Sequence, residues 1–172
     1  MVRSMAVILI PLLVISLFFT RNLDDHPVEE VDWGPVLATA RSEAAYPVLA
    51  PTNLPSGWRP TQVAWVKAGE PYLNGVPSPR NLWKLGFLDP EDTFIGLSQG
   101  DSAPDDLIRD TTREGEVDGQ SVVGEQTWER RVSEDDRTRS LVSRSAQVTT
   151  VVSGDAPYGA LESYAATLST TG

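Results

Sequence analysis

The stretch that most constrains this chain is Ser4–Thr20, a run of 17 residues without a charged side chain. Arg3 and Arg21 bracket the run. The hydrocarbon core of a bilayer is about 30 Å thick, which requires roughly 20 helical residues and accepts as few as ~17. The run is therefore just long enough to cross a membrane as a single helix.

Three interpretations of this run compete. A buried core helix would carry one polar face, and the run has none. A cleaved signal peptide would end in small residues, whereas this run ends in Leu17, Phe18 and Phe19. The chain has no cysteine, so acylation at a cysteine is excluded. We predict an uncleaved membrane-spanning helix, with the apolar region of a signal peptide as the main alternative.

The predicted anchor tolerates its internal proline, because bilayer helices accept proline more readily than soluble ones do. Its residues are Met5, Ala6, Val7, Ile8, Leu9, Ile10, Pro11, Leu12, Leu13, Val14, Ile15, Ser16, Leu17, Phe18 and Phe19.

Charge alone does not decide the orientation of the helix in the membrane, because one arginine lies on each side of the run. The short segment ahead of the run favours an N-terminus inside the cell, and we expect a basic segment encoded upstream of Met1. The predicted organisation is a cytoplasmic end (1–3), an anchor (4–20), a juxtamembrane linker (21–31) and an extracytoplasmic domain (32–170). The predicted location is the cell membrane, with a single pass and the domain outside the cytoplasm.

The residues after Arg21 are strongly acidic. All 24 acidic residues lie there, against 12 of the 14 basic ones, so this part carries −12 while the whole chain carries −10. Such a balance disfavours binding to nucleic acid and to anionic lipid head groups. About 150 residues is enough for one domain with a single core.

Helical signals occur at three places in that domain. Asp32 is typical of an N-cap, and apolar residues at helical spacing predict a helix over Trp33–Ala45. Ser102 predicts the cap of a short helix that reaches Arg109, and a closing helix is expected from near Asp155. Four prolines between residues 46 and 60 predict an extended segment that leads to Trp58.

Strand signals fill most of the remainder, because apolar and polar residues alternate there between turn residues. The segments are Thr61–Lys67, Asn81–Leu88, Thr93–Gln99, Glu116–Val123, Gln126–Val132, Thr138–Arg144 and Gln147–Ser153. The second and third are expected to form a hairpin. The sequence predicts an α+β domain, with an antiparallel sheet of about six strands and helices packed on one face.

Catalytic motifs are not complete in this sequence. His26, the single histidine, lies in the predicted linker and makes neither a metal site nor a triad by itself. Gly119 and Ser121 resemble a nucleophile elbow, but the second glycine comes one residue late, at Gly124. The acidic turns lack the alternating spacing of a calcium loop. We predict no catalytic, cofactor or metal-binding residue and expect a protein that is not an enzyme.

Five tryptophans are many for a domain of this size. Buried tryptophans in helices and strands most often fill the core. Trp58 and Trp128 are the candidate contacts for a ligand or partner, and core packing is the simpler interpretation of both.

The sequence also resembles a known family. The run VRSMAVILIPLLVISLFFT, the motif R-x-x-D-D-H-P-V from Arg21, LP-x-GW ending at Trp58 and a closing VVSGDAPYGALESYAATL are similar to small actinobacterial membrane proteins catalogued as domain of unknown function 4245. The resemblance covers nearly the whole chain. It implies a single-pass protein at the surface of a high-GC Gram-positive bacterium and carries no assigned activity.

Two functions therefore stay open. The first is a membrane-anchored, non-enzymatic interaction or scaffolding module of the cell envelope, which binds another envelope protein or lipid. The second is an extracytoplasmic module that binds a small ligand or lipid in an apolar pocket between sheet and helices. No cofactor and no nucleic acid is expected in either case.

Overall fold

A computed structural model of the chain describes residues 30–171, so the predicted anchor lies outside the described part. Within residues 30–171, no helix combines the length and the apolar character that a membrane crossing demands.

A seven-stranded antiparallel sheet dominates the domain, and its strands in chain order are β2 (Arg59–Val66), β3 (Leu82–Leu88), β4 (Phe94–Gly100), β5 (Glu116–Val123), β6 (Gln126–Val132), β7 (Arg139–Arg144) and β8 (Thr149–Gly154). They lie side by side in the order β2-β3-β4-β8-β7-β6-β5. The prediction of an α+β fold with an antiparallel sheet is confirmed, with seven strands in place of about six. The hairpin of β3 and β4 is confirmed as well.

Three α-helices accompany the sheet: α1 (Gly34–Glu43), α2 (Pro104–Thr111) and α3 (Tyr158–Ala166). A short 3-10 helix, Leu73–Gly75, lies in the loop between β2 and β3. The proline-rich segment is extended as predicted, and its residues Ala50–Pro51 (β1) pair with Leu168–Ser169 (β9) in a separate two-stranded sheet. This small sheet joins the two ends of the described domain.

The main core lies between the sheet, α1 and α3. Alternate residues of β3 (Trp83, Leu85 and Phe87) point to this side, where they are almost fully buried. Leu37 of α1 and Leu161 of α3 pack into the same cluster. We call this side of the sheet the two-helix face.

The helix α2 packs on the other side of the sheet. Its Leu107 and Ile108 contact Leu82, Val142 and Val151, which alternate with the residues of the main core. The prediction that all helices share one face is therefore wrong for α2, while α1 and α3 do share a face. We call the side that carries α2 the α2 face.

The helix starts differ from the predicted ones. Ser102 does not cap α2, because its hydroxyl donates to the carbonyl of Pro79 at 2.9 Å and Ala103 occupies the cap position with φ 47°. The closing helix starts at Tyr158, after Pro157. Asp32 does accept a hydrogen bond from the Gly34 amide at 3.1 Å, close to its predicted role.

Candidate functional site

The two faces of the sheet are covered to very different extents. The two-helix face is filled by aromatic and aliphatic side chains, whereas the α2 face is covered by one helix of eight residues. The α2 face carries exposed apolar side chains at Phe94 on β4 and at Val117 and Val122 on β5. Leu73 and Val76 are also exposed, in the loop beside α2. An incompletely covered sheet face with exposed apolar side chains is where a binding site is expected.

A trough of about 630 Å³ runs along this face. Its floor contains Gly96 and Ser153, which lie opposite each other on β4 and β8, and Gly96 also lies opposite Gly86 of β3. In the next row Lys84 lies opposite Ser98. Small residues on adjacent strands leave room above the backbone, which another side chain or a ligand can occupy.

The ring of Phe94 covers part of this floor. A Cβ at Gly86 would lie 2.5 Å from Cε2 of Phe94, and a Cβ at Gly96 would lie 3.0 Å from Cε1. The ring therefore occupies the space that side chains at the two glycines would fill. Phe94 is still 40% exposed, which leaves an aromatic surface facing the trough.

The walls of the trough are polar. Asp110 and Thr111, at the C-terminal end of α2, form one side together with Arg113. Thr138 and Asp155 close one end, where the Thr138 hydroxyl donates to the Asp155 carboxylate at 2.6 Å.

A second, more apolar pocket of about 290 Å³ adjoins the trough. It lies between α2 and the loop that carries the 3-10 helix, and Lys84, Asp110 and Thr111 line both cavities. Its other lining residues are Tyr72, Leu73, Val76, Pro77, Ser78, Pro79, Arg80, Leu82 and Leu107. Together the cavities reach the size range of ligand sites, about 300–1,000 Å³.

The carboxylates of the trough each have a partner within the domain. Asp92 pairs with Arg59, and Asp110 lies 3.3 Å from the guanidinium of Arg109. Asp155 lies 3.3 Å from Arg137 and also accepts the Thr138 hydrogen bond. Each of these carboxylates thus has a cation beside it, although Asp110 shares Arg109 with Asp106, which lies 3.0 Å from the same guanidinium.

The cations at the junction of the two cavities lack such a partner. Among residues 30–171, no carboxylate oxygen lies within 4 Å of the Lys84 ammonium, which instead sits 5.9 Å from the centre of the Tyr72 ring. Arg80 is 5% exposed, and its guanidinium donates one hydrogen bond, to the Ala103 carbonyl at 2.7 Å. Burial lowers the pKa of Arg80, and Asp106, Asp110 and Asp101 act against that shift from beyond ion-pair distance.

Several hydroxyls on the α2 face are also unused. Within the described part of the chain, neither Ser98 nor Ser153 makes a side-chain hydrogen bond, and both line the trough. Ser140 lies opposite Ser153 in the ladder, and its hydroxyl is fully buried without a partner among those residues. Buried hydrogen-bonding groups without partners are uncommon in proteins, whereas the hydroxyls of Ser98 and Ser153 face the cavity and are free to bind water or a ligand.

Trp58 and Trp128, the candidate contacts from the sequence, belong to the main core and lie away from the trough. Trp128 is 3% exposed, and its indole N–H has no partner among the described residues. Trp58 is half-buried and stacks on Tyr164 with ring centres 5.6 Å apart. Their role as contacts stays a prediction, and in this structure both rings pack against other core residues.

Ser121, the near-miss nucleophile, takes part in a structural network. Its hydroxyl donates to the Glu162 carboxylate at 2.6 Å and accepts from the Arg130 guanidinium, which also binds Glu162 at 2.7 Å. These hydrogen bonds hold the pKa of Glu162 below its usual range. Because Glu162 is already paired with Arg130, Ser121 has no free base beside it. The network instead connects α3 to the edge strand β5.

Metal-binding clusters are missing from the described residues: no group of three or more His, Asp or Glu side chains there could hold an ion. The acidic turn residues serve the backbone instead. The Asp89 carboxylate accepts hydrogen bonds from the Glu91 and Thr93 amides, and the Asp135 carboxylate accepts one from the Arg137 amide.

Sequence reasoning missed the residues that build the trough. Lys84 and Gly86 were visible only as polar or small positions between the inward residues of a strand. The available signal was the pair of glycines flanking the hairpin, Gly86 and Gly96, because an antiparallel hairpin places residues at these offsets opposite each other.

The comparison with protein families agrees with the resemblance noted in the sequence. A family model described as "Protein of unknown function (DUF4245)" matches residues 1–168. No curated protein shows significant similarity to the chain.

Proposed function

The chain belongs to the DUF4245 family, and from this premise we propose that it is a membrane-attached, non-enzymatic module whose α2 face binds a small ligand. The trough is the observation that carries the proposal. It combines a floor of small residues, an aromatic ring that lies on this floor and stays 40% exposed, and polar groups without partners on one face.

The site favours binding over chemistry. A general base and an activated nucleophile within hydrogen-bond reach are the usual requirement for acyl or phosphoryl transfer. The trough carries serine hydroxyls, a lysine and carboxylates that already have partners. Such a set can orient a ligand and select it by charge and shape.

Attachment through residues 4–20 is the second part of the proposal. It is supported by the uncharged run bracketed by arginines and by the resemblance to single-pass actinobacterial proteins. The described domain would then lie outside the cytoplasm, tethered by a linker of about ten residues. Val31 enters the fold at the edge of β2, where its amide bonds the Pro60 carbonyl at 2.9 Å.

An interaction or scaffolding role is the second candidate. Val117 and Val122 are 60% and 73% exposed on β5, the edge strand farthest from the trough, and an exposed edge strand can pair with another chain. The acidic residues beside them and the bulge between Val117 and Gln120 oppose such pairing. We therefore favour the ligand-binding role.

Ligand retention tests the proposal. The full chain is purified from its membrane in wild-type form and with Ser153→Trp, which fills the trough, or with Gln120→Trp, which changes an exposed residue of β5. Denatured samples are then compared by mass spectrometry. We expect one small-molecule class to be released from the wild type and from Gln120→Trp but not from Ser153→Trp. Equal release from all three proteins would contradict the proposal.

A further inference from the structure

The chemistry at the junction of trough and pocket identifies a ligand class. Resting on the proposed function, we propose that the ligand is an acidic amphiphile, whose carboxylate or phosphate binds at Lys84 and whose apolar part lies in the pocket between α2 and the 3-10 helix.

The first argument is charge. The whole domain is acidic, yet Lys84 and Arg80 both line the apolar pocket without a carboxylate within 4 Å among residues 30–171. The Arg80 guanidinium makes one hydrogen bond within residues 30–171, so most of its five donors are available to a ligand or water in the pocket. An anionic group at this point would gain charge-assisted hydrogen bonds that the protein does not supply.

The second argument is the arrangement of polar and apolar surface. Lys84 lies at the boundary, since it lines both cavities. On one side is the apolar pocket, which is lined by Leu73 and Val76, 65% and 62% exposed, and by the buried Leu107. On the other side are the unused hydroxyls of Ser98 and Ser153. A ligand with an acid group at the end of an apolar part matches this order, with the acid group toward the hydroxyls.

The third argument concerns selectivity against the general field. A net charge of −12 after Arg21 repels anions at long range, and this repulsion is screened beyond about 10 Å in salt. An inorganic anion is attracted only by the cations at the site itself, so we expect it to bind weakly. An acid that also buries apolar surface adds about 25 cal/mol for each Å² removed from water. Recognition requires both parts of the ligand.

The lysine content of the chain gives a direct probe. Lys84 and Lys67 are its two lysines, and Lys67 is exposed and paired with Glu43 at 2.9 Å. Reductive ¹³C-methylation of the full chain in phosphatidylcholine nanodiscs keeps both charges and gives one NMR signal for each lysine. The probes are octanoate, octyl phosphate, octanol and inorganic phosphate, with empty nanodiscs as the blank.

We expect octanoate and octyl phosphate to shift the Lys84 signal saturably and to leave the Lys67 signal in place. Comparing these two probes distinguishes a carboxylate from a phosphate head group. Octanol and inorganic phosphate should bind at least ~10-fold more weakly, because each lacks one half of the ligand. Octanol binding as tightly as octanoate, or phosphate as tightly as octyl phosphate, would overturn the assignment.

Matched variants, measured by calorimetry, separate the two halves. Lys84→Gln should weaken octanoate binding roughly 10-fold or more, while Lys67→Gln should leave it unchanged. Val76→Asp should weaken it by a similar factor, while Val122→Asp, at a valine on β5 that is 73% exposed against 62% for Val76, should not. Unchanged binding in both Lys84→Gln and Val76→Asp would refute the inference.

The outcome also separates this inference from the proposed function. If a retained ligand is lost from Ser153→Trp but no acidic amphiphile shifts the Lys84 signal, the ligand class is wrong and the trough stands. If Ser153→Trp loses no retained ligand and no acidic amphiphile shifts the Lys84 signal, the trough is not a binding site and both statements fail.

Discussion

At the scale of residues, the polar groups without partners fall into two sets. Lys84, Ser98 and Ser153 line a cavity, where a ligand or water can satisfy them. The hydroxyl of Tyr164 is sealed in the aromatic core beside Trp58 and Phe87, with no hydrogen-bond partner among the described residues. Leaving a buried hydroxyl unpaired costs about 1–3 kcal/mol, so the second set lowers stability without a gain in binding.

Removal of the Tyr164 hydroxyl should therefore be tolerated. Tyr164→Phe is expected to leave the free energy of unfolding at pH 7 unchanged or to raise it by about 1 kcal/mol, because no hydrogen bond is lost. Tyr46→Phe is the matched control. The Tyr46 hydroxyl donates at 3.3 Å to the carbonyls of Asn81 and Gln99, so its loss should cost about 1 kcal/mol. Urea unfolding of both variants decides the matter, and a clear loss in Tyr164→Phe would contradict it.

The same side chain makes a prediction about alkaline pH. Burial raises the pKa of Tyr164 above its ordinary 10.0, so the folded state keeps a proton that the unfolded state loses. This contribution to stability is complete below pH 10 and is lost as the pH rises above it. Unfolding free energies measured between pH 8 and 11 should fall less steeply in Tyr164→Phe than in the wild type. Identical slopes would show that Tyr164 ionises equally in both states.

At the scale of elements, the edge strand β5 depends on one helix. Five consecutive residues, 116–120, are exposed there, and the strand is held by its ladder with β6 and by the Ser121–Arg130–Glu162 network to α3. Tyr158 of α3 adds a hydrogen bond to Asp118 at 2.8 Å, and the Arg130 guanidinium lies 4.6 Å from the centre of its ring. The stability of β5 should thus respond to changes in α3.

Glu162→Ala should loosen β5 locally. Loss of the carboxylate leaves the Ser121 hydroxyl and the Arg130 guanidinium without their shared acceptor, so amide hydrogen exchange should accelerate over residues 116–123 and stay unchanged in β3 and β4. In the wild type the same loosening should appear as the pH falls through the lowered pKa of Glu162. Glu125→Ala, in the exposed turn after β5, is the control. Uniform acceleration across the sheet in Glu162→Ala would contradict this account.

Much of the element list was predictable, and the arrangement was less so. The predicted segments Glu116–Val123 and Gln126–Val132 coincide with β5 and β6, because alternation and turn residues are local signals. The face that α2 covers was not predictable. Both sides of β3 are largely buried, so alternation there does not distinguish the two-helix face from the α2 face. The pairing of β4 with β8, which completes the trough floor, joins residues as far apart in sequence as Ile95 and Gly154.

The candidate site shows the same limit. Lys84, Gly96 and Ser153 become neighbours only through the register of three strands. One wall comes from α2, which lies in the connection between β4 and β5. No local spacing in the sequence indicates this set. The two tryptophans selected from the sequence, Trp58 and Trp128, are conspicuous because of their residue type, and both pack in the main core.

At the scale of the whole molecule, the proposed anchor predicts on which side of the membrane the domain lies. Because the chain has no cysteine, a single introduced thiol can test this orientation. A single Gln120→Cys change places one thiol on exposed β5. If the domain lies outside the cytoplasm, a membrane-impermeant maleimide should label this thiol in intact cells. The unsubstituted chain serves as the blank, and labelling that requires lysis would contradict the predicted orientation.

The central claim is that the α2 face, and not the two-helix face, receives the ligand. Backbone amide shifts of the labelled full chain in nanodiscs, recorded with and without the ligand class retained during purification, test it most directly. We predict that the perturbed amides cluster at Lys84, Phe94, Ser98 and Ser153. A cluster around Trp58 and Tyr164 on the two-helix face, or shifts spread evenly over the domain, would contradict the claim.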